Sequence, residues 1–143
     1  VERFLVDVLG FGWHEVHDEA DLMQGGLNQR IEDRMDHMMG HPTRCPHGEP
    51  IPSRDGVMPE IDDWPLIIAP PGAAGEISRI KTHDPDKLLY LASLKLVPGT
   101  PFRLISRQPF NGPLRVDIMD RGQQVIGSEL AGAIWVTHTA PSR

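Results

Sequence analysis

The stretch that decides the fold is VHDEADLMQGGLNQRIEDRMDHMMGHPTRCPHGEPIP, residues 16–52. Its beginning continues a helical pattern that starts near Trp13 and runs to Gln24, where two consecutive glycines interrupt it. Asn28 is a good N-cap for a further helix, which Gly40 ends. The apolar face of that helix carries Ile31, Met35, Met38 and Met39. The stretch therefore predicts two consecutive amphipathic helices, whose methionines are expected to pack at a helix–helix interface.

Upstream of this stretch, a shorter helical pattern occupies the first ten residues. Val1, Leu5 and Val8 lie on one stripe, and Gly10 suits the C-terminal end of a helix. No capping residue precedes the pattern, so we expect the chain to be a fragment of a longer protein. Residues 1–40 are thus predicted to form a helical domain.

Downstream, the pattern changes twice. Residues 41–73 hold eight of the fourteen prolines without a sustained period and are interpreted as a connector. Residues 74–140 contain five short runs of β-branched and apolar residues, which predict strands. One helix interrupts them, with Asp84 as its cap, and Asn111-Gly112 predicts a type I′ hairpin. The sequence therefore predicts an α+β fold in which a small β-barrel follows the helices.

Composition excludes several classes of function. The chain has 14 Lys+Arg and 20 Asp+Glu, a formal charge of −6, and it offers no concentrated basic face for nucleic acid. No apolar run is long enough for a membrane span, and a single cysteine, Cys45, cannot form an intrachain disulfide. These features favour a cytoplasmic protein. No nucleophile, phosphate-binding or zinc-hydrolase motif is present, so we do not expect an enzyme.

The most informative chemistry lies on the second helix. His14, His17, Asp18 and Asp21 have the spacing of one helical face. With a carboxylate from a neighbouring helix, such as Glu2, this face could hold Zn, Mn or Fe. The alternative, which spacing alone favours, is an ordinary solvated polar face.

Two further groups contain ligand-type residues. One is clustered in the proline-rich stretch and comprises His41, Cys45, His47 and Glu49. Its spacing matches no closed zinc site, so it is interpreted as part of a plain connector. The other is His83-Asp84, where Asp84 already has a structural role as a helix cap.

Taken together, these segments resemble the diphtheria-toxin-repressor family of iron- and manganese-dependent transcriptional regulators. The resemblance rests on the VHDEAD helix at 16–21, the acidic helix after it, and GHPTRCPHGEPIP at 40–52. HDPDKLLYLASLKLVPG, at 83–99, resembles the FeoA-like, Src-homology-3-like β-barrel of longer members. The resemblance implies a helical dimerisation and metal-binding domain over residues 1–40, a Pro-rich linker over 41–73 and a FeoA-like barrel over 74–140.

The resemblance also implies ligands in the helical domain. Glu2 and His17 fall on ligand positions of one metal site. Asp21 falls on a ligand position of a second site, and it matches the residue types found there. At the next two ligand positions, Gln24 replaces an anionic glutamate and Gly25 replaces a histidine. The resemblance therefore implies that the second site is weakened, altered or lost.

In the barrel, Asp84 falls where some members place an ancillary acidic ligand. Lys87 stands where other members can use a side-chain amide as a ligand, but its ammonium group cannot bind a cation. His83 could supply the missing ligand in its place. The implied cofactor is Mn²⁺ or Fe²⁺. Its implied ligands are Glu2, His17, Asp21, Gln24, His83 and Asp84.

The implied function is that of a homodimeric, metal-dependent repressor, which binds operator DNA through an N-terminal winged helix-turn-helix that this chain lacks. One alternative is a regulator whose second metal site has degenerated. Another is a FeoA-like adaptor module with a degenerate metal site and no DNA-binding role, whose barrel binds a transporter or a proline-rich segment such as residues 46–71 of the chain's own linker. A metallohydrolase built on the His17 face is the third alternative.

Overall fold

Three short helices open the chain. In a computed structural model, which describes residues 1–53 and 55–139, they are α1 (Glu2–Asp7), α2 (Val16–Gln24) and α3 (Gln29–Met38). The predicted cap of α3 is confirmed, because the Asn28 side chain accepts a 2.9 Å hydrogen bond from the Ile31 backbone N–H. The predicted extents of α1 and α2 were too long. The residues between them include turns, and Trp13 there packs against the barrel core.

The second half of the chain forms one antiparallel sheet. Among the described residues, its six strands are β1 (Trp64–Pro65), β2 (Ala74–Ile80), β3 (Pro101–Arg107), β4 (Leu114–Ile118), β5 (Gly122–Ile126) and β6 (Ile134–Thr139). They lie in the order β1-β6-β2-β3-β4-β5. The five predicted strands correspond to β2 to β6. The predicted α+β class is therefore confirmed, and Ala140, the last residue of the predicted barrel, lies outside the described residues.

The interpretation of residues 41–73 as a plain connector was wrong. Trp64 and Pro65 pair with Val136 and Trp135 of β6 and add a sixth strand. Farther along the connector, Leu66 and Ala69 are fully buried in the barrel core. The sequence did not predict this, because a two-residue strand has no period and its partner lies about seventy residues away.

Two local predictions in the barrel have different outcomes. Asp84 caps α4 (Pro85–Ser93) as predicted, with Pro85 in its first turn. The hairpin differs from the predicted one. The positive φ angles, 59° and 57°, occur at Phe110 and Asn111 rather than at Asn111 and Gly112. Gly112 is required there for space, since a Cβ on it would lie 2.6 Å from the Gln108 Cβ. A further short helix, α5 (Ser128–Ala133), was not predicted.

The described residues form two apolar cores. Leu5, Val16 and Ala20 join α1 to α2, while the larger core fills the barrel. Trp13, from the turn before α2, packs against the barrel core and so connects the two halves. Among the described residues, no helix is long and apolar enough to cross a membrane.

Candidate metal centre

A cleft of about 400 Å³ lies where the helices meet the barrel. Its polar lining comes from α1, α2, the proline-rich segment and the residue before the α4 cap. The lining side chains include Glu2, His17, Asp21, Gln24, Cys45, Glu49 and His83. Four separate parts of the chain therefore supply polar groups to one small cavity, which is the arrangement expected of a ligand site.

The Glu2 carboxylate is at the centre of this cleft. Its Oε1 lies 3.0 Å from His17 Nδ1, and its Oε2 lies 3.5 Å from His47 Nδ1. Hydrogen bonding to His47, the largest influence, and to His17 lowers the pKa of Glu2 to about 2, although burial acts in the opposite direction. Glu2 is therefore an anion that faces two imidazole rings.

His47 is fully buried beneath Glu2. Its Nε2 donates to the backbone carbonyl of Trp13, so Nδ1 faces Glu2 and the Cys45 Sγ, which lies 3.9 Å away. Burial is the largest single influence and disfavours the imidazolium, but hydrogen bonds to Cys45 and Glu2 outweigh it and raise the pKa of His47 to about 10. The Glu2, Cys45 and His47 ligand atoms all lie within 4.8 Å of one another.

A tight turn positions Cys45 and His47. We call residues 44–50 the ligand loop. Arg44 and Pro50 form an isolated β-bridge, and the Cys45 N–H donates to the Glu49 carbonyl at 2.8 Å. Gly48 has φ 86° and donates to the Cys45 carbonyl. Since this φ favours glycine, the turn depends on Gly48.

On the other side of Glu2, His17 is held by three neighbours. Its Nδ1 faces Glu2, its Nε2 lies 3.5 Å from Asp21 Oδ2, and its ring stacks on His83 with centroids 3.7 Å apart. Burial, with smaller effects from His17 and His47, lowers the pKa of His83. His83 is therefore favoured as a neutral imidazole at neutral pH, and it brings the barrel into the cleft.

The structure thus brings together five of the six side chains that the resemblance implied. Glu2, His17, Asp21, Gln24 and His83 all line the cleft. Asp84 does not line it. Its Oδ1 accepts hydrogen bonds from the backbone N–H groups of Asp86 and Lys87, at 3.0 and 3.5 Å, as a helix cap does. Asp84 is therefore occupied by its capping role.

The sequence analysis noted Cys45 and His47 as ligand-type residues but interpreted them as part of a plain connector. Glu2, the carboxylate grouped with them in the structure, is more than forty residues away along the chain, so spacing gave no sign of their meeting. The available signal was a thiol and an imidazole two residues apart beside Gly48, in a tight proline-bounded turn. His14 pairs with Glu15 at 3.8 Å, and His41 pairs with Asp36, so neither belongs to this group.

Comparison with known protein families divides the chain in the same way. Residues 1–53 match the iron dependent repressor, metal binding and dimerisation domain. Residues 64–138 match the FeoA domain. The first match contains α1, α2, α3 and the ligand loop, and the second contains β1 to β5 and β6 as far as residue 138, so the cleft lies where the two meet.

Individual relatives carry descriptions of the same kind. The iron-dependent repressor IdeR of Mycobacterium tuberculosis is 43% identical over 70 residues, which are 46% of this chain and 30% of that protein. A solved manganese-dependent transcriptional repressor in complex with manganese has a TM-score of 0.92 and 38% identity, covering 96% of this chain and 65% of that one. Another solved manganese-dependent transcriptional repressor has a TM-score of 0.89 and 38% identity, covering 96% and 76%. The chain is thus shorter than these relatives.

Proposed function

Because the chain belongs to the diphtheria-toxin-repressor family of metal-dependent transcriptional regulators, we propose that it is the metal-sensing and dimer-forming core of a repressor. The effector is Mn²⁺ or Fe²⁺, and the repressor that contains this core binds operator DNA. The observation that carries the proposal is the convergence of Glu2 and Cys45, which line the cleft, with the buried His47. The relatives are described as repressors, which supports a regulatory rather than an enzymatic role.

The donor chemistry of this group fits a divalent transition metal. His47 donates its Nε2 proton to a backbone carbonyl, which is the usual way in which a protein fixes the tautomer of a ligand histidine. Its Nδ1 then faces a Glu2 carboxylate oxygen and the Cys45 sulfur. In the metal-free chain a proton on His47 brings positive charge to this group, because the pKa of His47 is raised to about 10. A divalent transition-metal ion would supply the same positive charge. It would also bind the nitrogen, oxygen and sulfur ligands that these residues offer.

The other residues of the cleft extend this site. We assign His17 as a further ligand because its Nδ1 faces the second oxygen of Glu2. Asp21 orients the His17 ring, Gln24 offers an amide oxygen, and His83 contributes a neutral imidazole from the barrel. Gly25 adds no donor. Asp21 and Gln24, which the resemblance implied as ligands of a second site, therefore line the same cleft as Glu2.

Dimerisation is assigned to the exposed faces of α2 and α3. Leu22 is 80% exposed and Met38 67% exposed, which is unusual for large apolar side chains on short helices. Both lie within the part of the chain that matches a dimerisation domain. Binding of the Pro-rich linker by the barrel stays a proposal, supported by the burial of Leu66 in the barrel core.

Calorimetric titration of the metal-free chain with Mn²⁺ tests the proposal. We expect binding that weakens about 10-fold or more in Cys45→Ser and Glu2→Gln, since each change removes one donor atom. His14→Ala is the matched control, because His14 pairs with Glu15 and does not line the cleft. Absence of binding to the parent chain, or equal binding by Glu2→Gln, would contradict the proposal.

A further inference from the structure

A buried polar network lies behind the ligand loop, on the barrel side. The Asp63 carboxylate is fully buried at the end of the connector. Ser78 Oγ donates to Asp63 Oδ2 at 2.7 Å, and Arg79 Nη2 donates to Asp63 Oδ1 at 2.9 Å. Arg79 Nε also lies 2.9 Å from Oδ2, so the guanidinium holds both carboxylate oxygens. Asp63 therefore fixes two consecutive side chains of β2.

Ser78 and Arg79 bind opposite ends of the ligand loop. Arg44 Nη1 donates to the Ser78 carbonyl at 3.0 Å and to the Ser78 Oγ at 3.1 Å. Arg79 Nη1 donates to Glu49 Oε2 at 3.3 Å. Arg44 directly precedes Cys45, and Glu49 follows His47 by two residues. The network thus holds both ends of the segment that carries the thiol and the imidazole.

The backbone of β2 contacts the same loop. The register of β2 against β6 shifts between Ile77 and Arg79, which makes Ser78 the extra residue of a β-bulge. Ile80 N–H donates to the His47 carbonyl at 2.8 Å. A Cβ on Gly48 would lie only 2.2 Å from the Ser78 carbonyl oxygen, so the loop rests directly against the bulge.

We propose that Asp63, acting through Ser78 and Arg79, is a positioning residue for the metal site, which holds Cys45 and His47 within reach of Glu2. The proposal rests on the proposed function, because it concerns the affinity of that same site. Asp63 itself lies outside the cleft and lines no part of it. Hydrogen bonds from Ser78 and Arg79 offset the free-energy cost of burying the Asp63 charge. A buried group with all of its hydrogen bonds made favours one arrangement of its neighbours.

Co²⁺ is the probe that separates positioning from a merely structural role. A cobalt–thiolate bond gives a charge-transfer absorption that reports whether Cys45 reaches the ion. Ser78→Ala removes the hydroxyl group shared by Asp63 and Arg44 but leaves the backbone. We expect it to weaken Co²⁺ binding about 10-fold and to reduce that absorption at saturating Co²⁺, while far-UV circular dichroism stays unchanged. Asp63→Asn, measured at a temperature where circular dichroism shows a folded chain, should have a larger effect in the same direction.

Ser106→Ala is the matched control. Ser106 lies beside the bulge of β3, where the register shifts between Leu104 and Ser106, and it is remote from the ligand loop in the sheet. Its Co²⁺ affinity and spectrum should equal those of the parent chain. Equal binding by the parent, Ser78→Ala and Asp63→Asn, within twofold, would overturn the positioning role but leave the metal site intact. A parent chain that binds no Co²⁺, or whose spectrum is unaffected by Cys45→Ser, would overturn the proposed site itself.

Discussion

At the scale of single residues, Glu2 and His47 form one coupled pair. Their shifted pKa values, about 2 and about 10, describe the same interaction from its two ends. The smaller shift, on Glu2, corresponds to about 3 kcal/mol. The shift on His47 is larger because Cys45 and the Trp13 carbonyl also favour its protonated form. In the metal-free chain, the His47 proton therefore takes the place that we assign to the metal.

This pair predicts how the stability of the metal-free chain depends on pH. The pKa of His47 is raised in the fold, so its contribution is complete below about pH 6.5 and is lost as the pH rises toward 10. The pKa of Glu2 is lowered, so its contribution is complete above about pH 4.5 and is lost as the pH falls toward 2. We therefore expect the pair to contribute most to the free energy of unfolding between about pH 4.5 and 6.5, as measured by urea unfolding.

Between pH 6 and pH 9, the free energy of unfolding should fall by about 1–3 kcal/mol. Glu2→Gln should reduce this dependence but not abolish it, because the imidazolium loses its charged partner while Cys45 and the Trp13 carbonyl still raise the pKa of His47. His14→Ala should retain it, since His14 contacts Glu15 outside the cleft. A parent chain whose stability is constant over this range would show that the pair is not an ion pair in the fold.

At the scale of elements, sequence predicts what local chemistry determines. Asn28 and Asp84 both start helices as expected, because a cap acts on N–H groups two or three residues away. Elements defined by distant partners escaped prediction. Trp64–Pro65 becomes a strand only through β6, and the ligand loop becomes a site only through Glu2. Five of the six strands, most helices and the Glu2–His17 pairing were accessible, whereas β1 and the roles of Cys45 and His47 required the tertiary structure.

The α4 helix allows its cap to be tested separately from metal binding. Asp84→Ala removes the acceptor for the Asp86 and Lys87 N–H groups, and we expect it to cost about 1 kcal/mol in urea unfolding. Asp84→Asn keeps an acceptor and should cost less. Neither change should alter Mn²⁺ affinity, because Asp84 does not line the cleft. A loss of affinity in both variants would instead make Asp84 a ligand, as the sequence resemblance implied.

At the scale of the whole molecule, the metal cleft lies between two halves that have separate cores. Glu2 and His17 belong to the helical half, and His83 belongs to the barrel. The ligand loop lies between them and bonds to both, through the Trp13 carbonyl and through β2. A metal ion bound at the proposed site would fix the barrel relative to the helices, and the exposed faces of α2 and α3 would connect it to the proposed dimer contact.

That contact gives a prediction for the assembly. We expect the chain to sediment as a dimer at micromolar concentration, with Leu22 and Met38 buried between the two copies. Burying a large apolar side chain is worth about 1.5–3 kcal/mol, and a twofold interface counts each residue twice. Leu22→Glu should therefore weaken the dimer at least about 100-fold. Met119→Glu is the control, because Met119 is 56% exposed after β4 on the barrel, away from α2. A dimer that survives Leu22→Glu but dissociates with Met119→Glu would place the interface on the barrel instead.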